Sequence, residues 1–340
     1  MEKIEGELKK ELSFDLYGRY AVMRDIINRN RKNNQVFQVL DVGGRGNLMK
    51  RFLPKDKVFY LDPFVDTEDE NYIKGDGCAI PLKNENFDWV VSADVFEHIP
   101  EEKRDDFLSE NLRVAKSGVI LAAPFFSKEV EKAEIIANEN YKILSGGEGH
   151  IWLKEHIENG LPSEEKVEKF IASQKLDFQK IHNNRLFLWE VLINLSFLAI
   201  NDLDEEIKNE FERFNYFYNT EVFSFDALVP SYRKIYFIKK DKFLDNLDIK
   251  EKPIDDSLFL ETIGKALGIA GKINFNNQQS LSQKSKELEN MNKGILEKER
   301  EIKNLDDELI HIKASKLWKM REKYVKIKSP LAKNKKHFKK

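Results

Sequence analysis

At 340 residues, with 41% apolar and 34% charged side chains, the chain is long enough for one large core but too charged to be packed throughout, so part of it should be extended or solvent-facing. Its formal net charge of −2 conceals an asymmetry: Lys313 to Lys340 holds 12 Lys/Arg against the single Glu322, which leaves a tail of +11 and a body of −13. Cys78 is the only cysteine, which excludes an intrachain disulfide and a cysteine-based zinc site and fits a reducing compartment.

In chain order, Leu12, Leu16, Tyr20, Met23 and Ile27 recur at helical spacing and predict a helix over 12–30. Val36 to Val42 predicts a buried strand, Leu48 to Leu53 a helix stopped at Pro54, Val58 to Leu61 a second strand and Asn71 to Lys74 a short third. Phe87 to Ser92 is apolar on both faces, as a central parallel strand must be. Pro100, then Glu101 and Glu102, then Arg113 and Lys116, suit the two ends of a helix over 100–116, with Gly118 ending it before a fifth strand, Val119 to Ala123. Alternating strands and helices call for a doubly wound, mostly parallel sheet.

Beyond the fifth strand, glycines surround His150, Trp152 and His156 in Ser145-Gly146-Gly147-Glu148-Gly149-His150-Ile151-Trp152-Leu153-Lys154-Glu155-His156, and this reads as a site loop. A helix over 163–175, a strand near Phe178 to His182, helices over about 185–200 and 203–218, and a last strand, Tyr232 to Ile238, complete a body of residues 1–245. The last two strands should pair antiparallel at the sheet edge, and helical insertions at about 126–165 and 185–220 should form a cap. Residues 246–280, turn-rich with Gly264, Gly268 and Gly271, read as a linker. Leu281, Leu288, Met291, Ile295, Ile302, Leu305, Leu309 and Ile312 then keep alternating three- and four-residue steps, broken only where Lys284 and Lys298 hold seam positions, a coiled coil over 281–316 that spans roughly 45 to 50 Å. Residues 317–340 are a basic amphipathic tail in which Leu317, Met320, Tyr324 and Ile327 share a face, as on a helix resting on an anionic membrane.

Everything in the body is arranged around Val36 to Asp62: an apolar run ending in Asp41, the glycines Gly43, Gly44 and Gly46, a helical stretch, and a second apolar run ending in Asp62. Such a βαβ unit holds a nucleotide-like ligand, with glycines admitting it close to the backbone and Asp62 placed to accept from two ribose hydroxyls. These residues resemble the first motif of the class I S-adenosylmethionine-dependent methyltransferases, although Arg45 and Asn47 stand where further glycines are usual. Gly75-Asp76-Gly77 and Phe87-Asp88-Trp89-Val90-Val91-Ser92-Ala93-Asp94-Val95-Phe96-Glu97-His98 are similar to that family's later motifs, in order, over residues 15 to 240. The resemblance implies a Rossmann-like sheet of seven strands and S-adenosyl-L-methionine as cofactor. It places Asp62 on the ribose, Asp76 and Gly77 by the adenine, Asp41 by the methionine portion, and Asp94 with the glycines along the same ligand.

If the acceptor is a hydroxyl, a base is useful, and His98, His150 and His156 are the catalytic candidates. His150, Glu155 and His156 match no strong metal signature, so no metal is assigned. The expected function is O-methylation of a sugar or lipid-linked glycan, because the stalk and tail would concentrate the enzyme where such glycans are assembled, and Ser315-Lys316-Leu317-Trp318-Lys319 resembles tails that follow coiled coils in bacterial surface-polysaccharide enzymes. A soluble small-molecule methyltransferase dimerised by its coiled coil and a non-catalytic scaffold are the alternatives. Expected partners are a glycan or small-molecule acceptor, a second copy through the coiled coil, and an anionic membrane surface, with no nucleic acid. Met1 to Glu7 shows no apolar signal region, and the apolar run Leu186 to Ile200 is interrupted by Glu190 and Asn194, so the location is expected to be cytoplasmic, peripheral to the inner face of the membrane.

Overall fold

Five short apolar runs form the parallel part of one seven-stranded sheet: β1 (Gln38–Val42), β2 (Lys57–Asp62), β3 (Tyr72–Lys74), β4 (Phe87–Ala93) and β5 (Ala115–Pro124). β6 (Asp177–Arg185) and β7 (Ser231–Lys239) complete it in the order β3-β2-β1-β4-β5-β7-β6, with β7 antiparallel to both of its neighbours. The computed structural model describes residues 2–44, 46, 48–64, 67–200, 204–243 and 255–334, in two units, Met1–Ile273 and Asn274–Lys340.

Within the first unit, strand side chains alternate between two apolar layers, as the pleat requires. Val39, Val91, Ile120 and Phe237 pack with α1 (Glu2–Glu11), α2 (Phe14–Arg29) and α3 (Leu48–Phe52) through Leu8, Met23, Ile27, Met49 and Phe52. Leu40, Val90, Val119 and Tyr236 pack on the other face with α4 (Arg104–Val114), through Phe107, Leu108 and Leu112. A third cluster is the cap: α5 (Lys128–Ser145), α6 (Ile151–Asn159), α8 (Leu186–Phe197) and α9 (Glu205–Phe217) gather around Leu188, Trp189, Leu192 and Phe214. α7 (Glu164–Ser173) joins the sheet side through Val167 and Ile171. Serine side chains accept from the first turns of α2, α5 and α7, at Ser13, Ser127 and Ser163, and Asp204 does the same for α9.

Three expectations change. The helix expected over 100–116 is a 3₁₀ turn, Glu101–Lys103, followed by α4, with a further 3₁₀ turn, Phe96–His98, before it, and Gly118 lies inside β5 rather than at a helix end. A Cβ on Gly118 would lie 2.2 Å from the Ile238 carbonyl oxygen, so the glycine serves the close approach of β7. The glycine-rich loop around His150 is shorter than expected, because α6 begins at Ile151 and carries Trp152 and His156. Residues 256–280, expected within a linker, are helical: α10 (Asp256–Ala314) buries Thr262, Ala266, Ile269 and Ile273, the last three in the cap cluster, at a four- and three-residue spacing that outweighs the cost of Gly264, Gly268 and Gly271. Residues 244–254 of that expected linker lie outside the described residues.

The second unit is helical, the rest of α10 followed by α11 (Lys316–Asn334), with a bend at Ser315 between them. Its eight seam residues from Leu281 to Ile312 are all exposed, at 44–68%. α11 continues past Pro330; the side chains beyond Val325, including Ile327 of the expected apolar face, lie outside the described residues. No described helix is long and apolar enough to cross a membrane.

Candidate cofactor and acceptor site

The tips of β1, β2 and β4 meet at one end of the sheet, where Asp41, Asp62 and Asp94 fall. Gly43, in the left-handed region at φ +81°, donates its N–H to the Leu61 carbonyl at 2.7 Å and so ties the β1 turn to β2. A Cβ on Gly43 would lie 2.2 Å from Val95 Cγ2, and one on Gly44 2.4 Å from Asp41 Oδ2, so no larger residue fits at either place. Gly46, also left-handed, opens to free space, while Arg45 and Asn47 lie outside the described residues.

Asp41 is fully buried; its Oδ2 accepts from the Tyr20 hydroxyl at 3.3 Å, and its Oδ1 has no hydrogen-bond partner among the described residues. Burial pushes its carboxyl up to about 7, against the opposing hydrogen bond of Tyr20 and charge of Arg19. Asp62 is nearly buried at the end of β2 and accepts from the Phe64 N–H at 2.7 Å through Oδ1. Asp76 is exposed on the loop after β3, accepting from the Cys78 N–H at 2.8 Å, and Gly77 beside it is packed against Phe107 and Val42. An orphaned carboxylate oxygen and a glycine turn whose Cβ space is already taken fit a nucleoside ligand carrying a cationic portion.

Asp94 has a different setting from the other acids. At φ +53° it turns the chain out of β4, and its carboxylate is bound by Arg19 Nη1 at 2.6 Å and by Arg233 Nε at 2.6 Å, with Arg233 Nη2 also in contact. Asp15 bridges the same two arginines at 2.8 and 3.2 Å, and Asn183 accepts from Arg233 Nη1 at 3.1 Å. Burial disfavours the Asp94 charge, and the two guanidiniums overcome it, holding the carboxyl below its ordinary value. The network joins α2 to β4 and β7, and with the Tyr20–Asp41 bond it places α2 over the strand tips.

Just past Asp94, the 3₁₀ turn Phe96–His98 presents Glu97 and His98 to His156 on α6. The rings of His98 and His156 are 4.7 Å apart, and His156 Nε2 lies 4.0 Å from Glu97 Oε1. His156 Nδ1 is 2.8 Å from Glu134 Oε1, which also accepts from the Tyr232 hydroxyl at 2.9 Å, and His98 Nδ1 is 2.8 Å from Glu155 Oε2. Burial, then the Asp94 charge, push Glu97 up to about 8. Burial and the charge of His156 lower His98; at His156 burial is outweighed by the hydrogen bond and charge of Glu134, with Glu97 and Asp94, and the imidazole rises above its ordinary value.

His150 stands apart. Its ring sits among Tyr141, Trp152 and Phe197 at 4.9 to 5.3 Å, and its backbone N–H donates to Asn138 Oδ1 at 2.8 Å. It borders a surface depression of about 360 Å³ with Tyr141, Ser145, Glu148 and Ile151. The structure therefore joins two of the three histidine candidates and adds Glu97, Glu134, Arg19 and Arg233, which sequence reasoning missed. A signal existed for two of them: Glu97 adjoins His98 in an otherwise apolar stretch, and Arg233 is a charge near the start of an apolar strand.

Known proteins resemble this chain in part. Residues 54–123, from the end of α3 into β5, match the family model described as a methyltransferase domain. No curated protein matches the chain. Among solved structures, an Archaeoglobus fulgidus S-adenosylmethionine-dependent methyltransferase is similar at 16% identity over 65% of this chain and 94% of that one, with a TM-score of 0.36. The YcgJ protein of Bacillus subtilis gives 13%, 65%, 98% and 0.37, and a Haemonchus contortus phosphoethanolamine N-methyltransferase in complex with S-adenosylhomocysteine gives 16%, 64%, 52% and 0.38. The match to a methyltransferase-domain model is thus confined to residues 54–123, and the sheet that contains them has a Rossmann-like strand order.

Proposed function

We propose that the protein is an S-adenosylmethionine-dependent O-methyltransferase acting on a hydroxyl of a sugar or lipid-linked glycan. The observation that carries the methyltransferase reading is the convergence of Asp41, with its unpartnered Oδ1, the Gly43–Gly44 turn and Asp62 at the tips of adjacent strands, next to the Glu97–His98–His156 cluster. When bound, S-adenosylmethionine supplies an electrophilic methyl group on a sulfonium. The chain's residues do the positioning: Asp62 accepts from the ribose diol, Asp76 from the adenine amino group, Asp41 faces the methionine portion, and the glycines leave room for close approach. His98 is placed past β4 to take up the acceptor's proton.

The second unit supports the glycan part of the reading. An exposed apolar stripe at coiled-coil spacing, followed by a helix within a tail of +11, suits self-association and residence at an anionic membrane face, where lipid-linked glycans are assembled. Calorimetry with S-adenosylmethionine and S-adenosylhomocysteine tests the cofactor site. Asp62→Ala should weaken binding by about 10- to 150-fold, the equivalent of losing a charged acceptor for two hydroxyls. Absence of heat from the wild type at millimolar cofactor overturns the proposal and leaves a non-catalytic scaffold.

A further inference from the structure

We propose that Glu97, His98 and His156 form a binding site for one divalent first-row transition-metal ion, with open coordination positions for the oxygen of a methyl acceptor. One ligand atom from each of the three residues lies within 4.8 Å of the others. Donors at about 2.0 to 2.2 Å from a common ion are roughly 3 to 4 Å apart, so the 4.0 Å between His156 Nε2 and Glu97 Oε1 suits a shared ion and is too long for a hydrogen bond.

Two further observations point to a ligand at this place. Glu97 is 1% exposed and His156 5%, and neither Glu97 Oε2 nor His156 Nε2 has a hydrogen-bond partner among the described residues. A plain ion pair of His156 with Glu134 uses Nδ1 and leaves both of these atoms unsatisfied, which buried polar atoms rarely are. At His156 the outer contact also has the arrangement typical of metal-binding histidines, whose second ring nitrogen meets a carboxylate. Glu134 holds Nδ1 of His156, turning Nε2 toward Glu97, and is itself fixed by the Tyr232 hydroxyl; Glu155 stands 2.8 Å from Nδ1 of His98.

Two imidazoles and one carboxylate favour manganese, iron, cobalt or zinc over the all-oxygen preferences of magnesium and calcium. Three protein ligands leave coordination positions open, as in catalytic rather than structural sites. The turn that carries Glu97 and His98 follows Val95, whose methyls fill the space beside Gly43, so the ion lies one residue's packing from the cofactor turn. Ion binding stands on the cluster alone. Its role, holding an acceptor hydroxyl and easing loss of its proton to solvent in place of uptake by His98, whose ring nitrogen then faces the ion, rests on the methyltransferase reading. In that step the acceptor oxygen forms the new O–C bond while the C–S bond breaks with its electron pair on sulfur.

The test uses untagged full-length protein, stripped with a chelator and dialysed, then titrated with Mn²⁺, Co²⁺ or Zn²⁺ by calorimetry, with the visible spectrum of Co²⁺ reporting imidazole ligands. The wild type should bind one equivalent per chain. Glu97→Gln and His156→Asn, the latter keeping a donor near Glu134 while deleting Nε2, should bind at least tenfold more weakly, and Cys78→Ser should bind like wild type. No stoichiometric binding by the wild type, or wild-type affinity in both ligand variants, overturns the site. Should a variant not fold, the wild type decides: its stripped form must gain melting temperature on adding the ion, and no gain refutes the site. S-adenosylhomocysteine binding is measured on the same samples. Ion binding without cofactor binding keeps the site and removes the methyltransferase reading, and the converse result removes the site alone.

Discussion

Asp41→Asn should alter how stability depends on pH. The native carboxyl is fully buried, receives one hydrogen bond of 3.3 Å from Tyr20, and is held at about 7 against an ordinary value of 3.8. The native state therefore keeps, between those two values, a proton that the unfolded chain has released. Below about pH 4 both states are protonated and the group contributes nothing. As pH rises, native stability falls by about 1.36 kcal/mol per pH unit, and above about pH 7 the accumulated loss levels off near 4 kcal/mol. Asparagine has no proton to release, so urea unfolding from about pH 4.5 to 8 should show the variant gaining about 3 to 4 kcal/mol relative to wild type across that range. A difference that stays constant with pH refutes the reasoning, because it means that the Asp41 carboxylate is as well solvated or paired in the native state as in the unfolded one.

Other outcomes follow from single contacts. Arg233→Met removes the fully buried guanidinium between Asp94 and Asp15 and should cost about 3 to 5 kcal/mol in urea unfolding, since it strands buried charge. Gly118→Ala places a methyl group 2.2 Å from the Ile238 carbonyl oxygen and should cost about 1 to 3 kcal/mol by the same measurement, through displacement of β7 from β5. Truncation after Ile273 should leave a body as stable as the full chain, whereas truncation at residue 250 removes Ile269 and Ile273 from the cap cluster and should lower stability by about 3 to 6 kcal/mol. Light scattering of the Ile273 truncation should show a smaller assembly than the full chain, if the exposed stripe from Leu281 to Ile312 is where copies meet. Full-length protein should float with anionic vesicles less well as salt rises, and the Lys313 truncation should not float, with Trp318→Ala between the two.

Much of the architecture was legible because it depends on local pattern. The runs around Val39, Phe59, Val90 and Ile120 lack a period of two, so they had to be buried on both faces, and Asp41, Asp62 and Asp94 marked the tips of the first three. β6 and β7 pair antiparallel at the sheet edge with helices inserted between them, as expected. Sequence alone also carried the apolar stripe of the long C-terminal helix and the segregation of charge toward its end, because periodicity and composition need no partner to be read.

Tertiary structure decided whatever depends on residues far apart in the chain. Gly118 looked like a helix stop, and only the approach of β7, more than a hundred residues later, explains it. The helix from Asp256 looked like a linker because three glycines weaken its local propensity, and burial of Ile269 and Ile273 in the cap supplies what propensity lacks. Asp94 looked like one more acid at a strand tip, yet Arg19 and Arg233, 75 and 139 residues away, occupy its carboxylate. His98 and His156 were visible singly, and their meeting with Glu97, like the choice of Glu134 as the partner of His156, arises from the docking of α5 and α6 onto the end of β4. Spacing along the chain carries strands and helices; a site built from side chains 59 residues apart, Glu97 to His156, exists only once packing has set the distances between them.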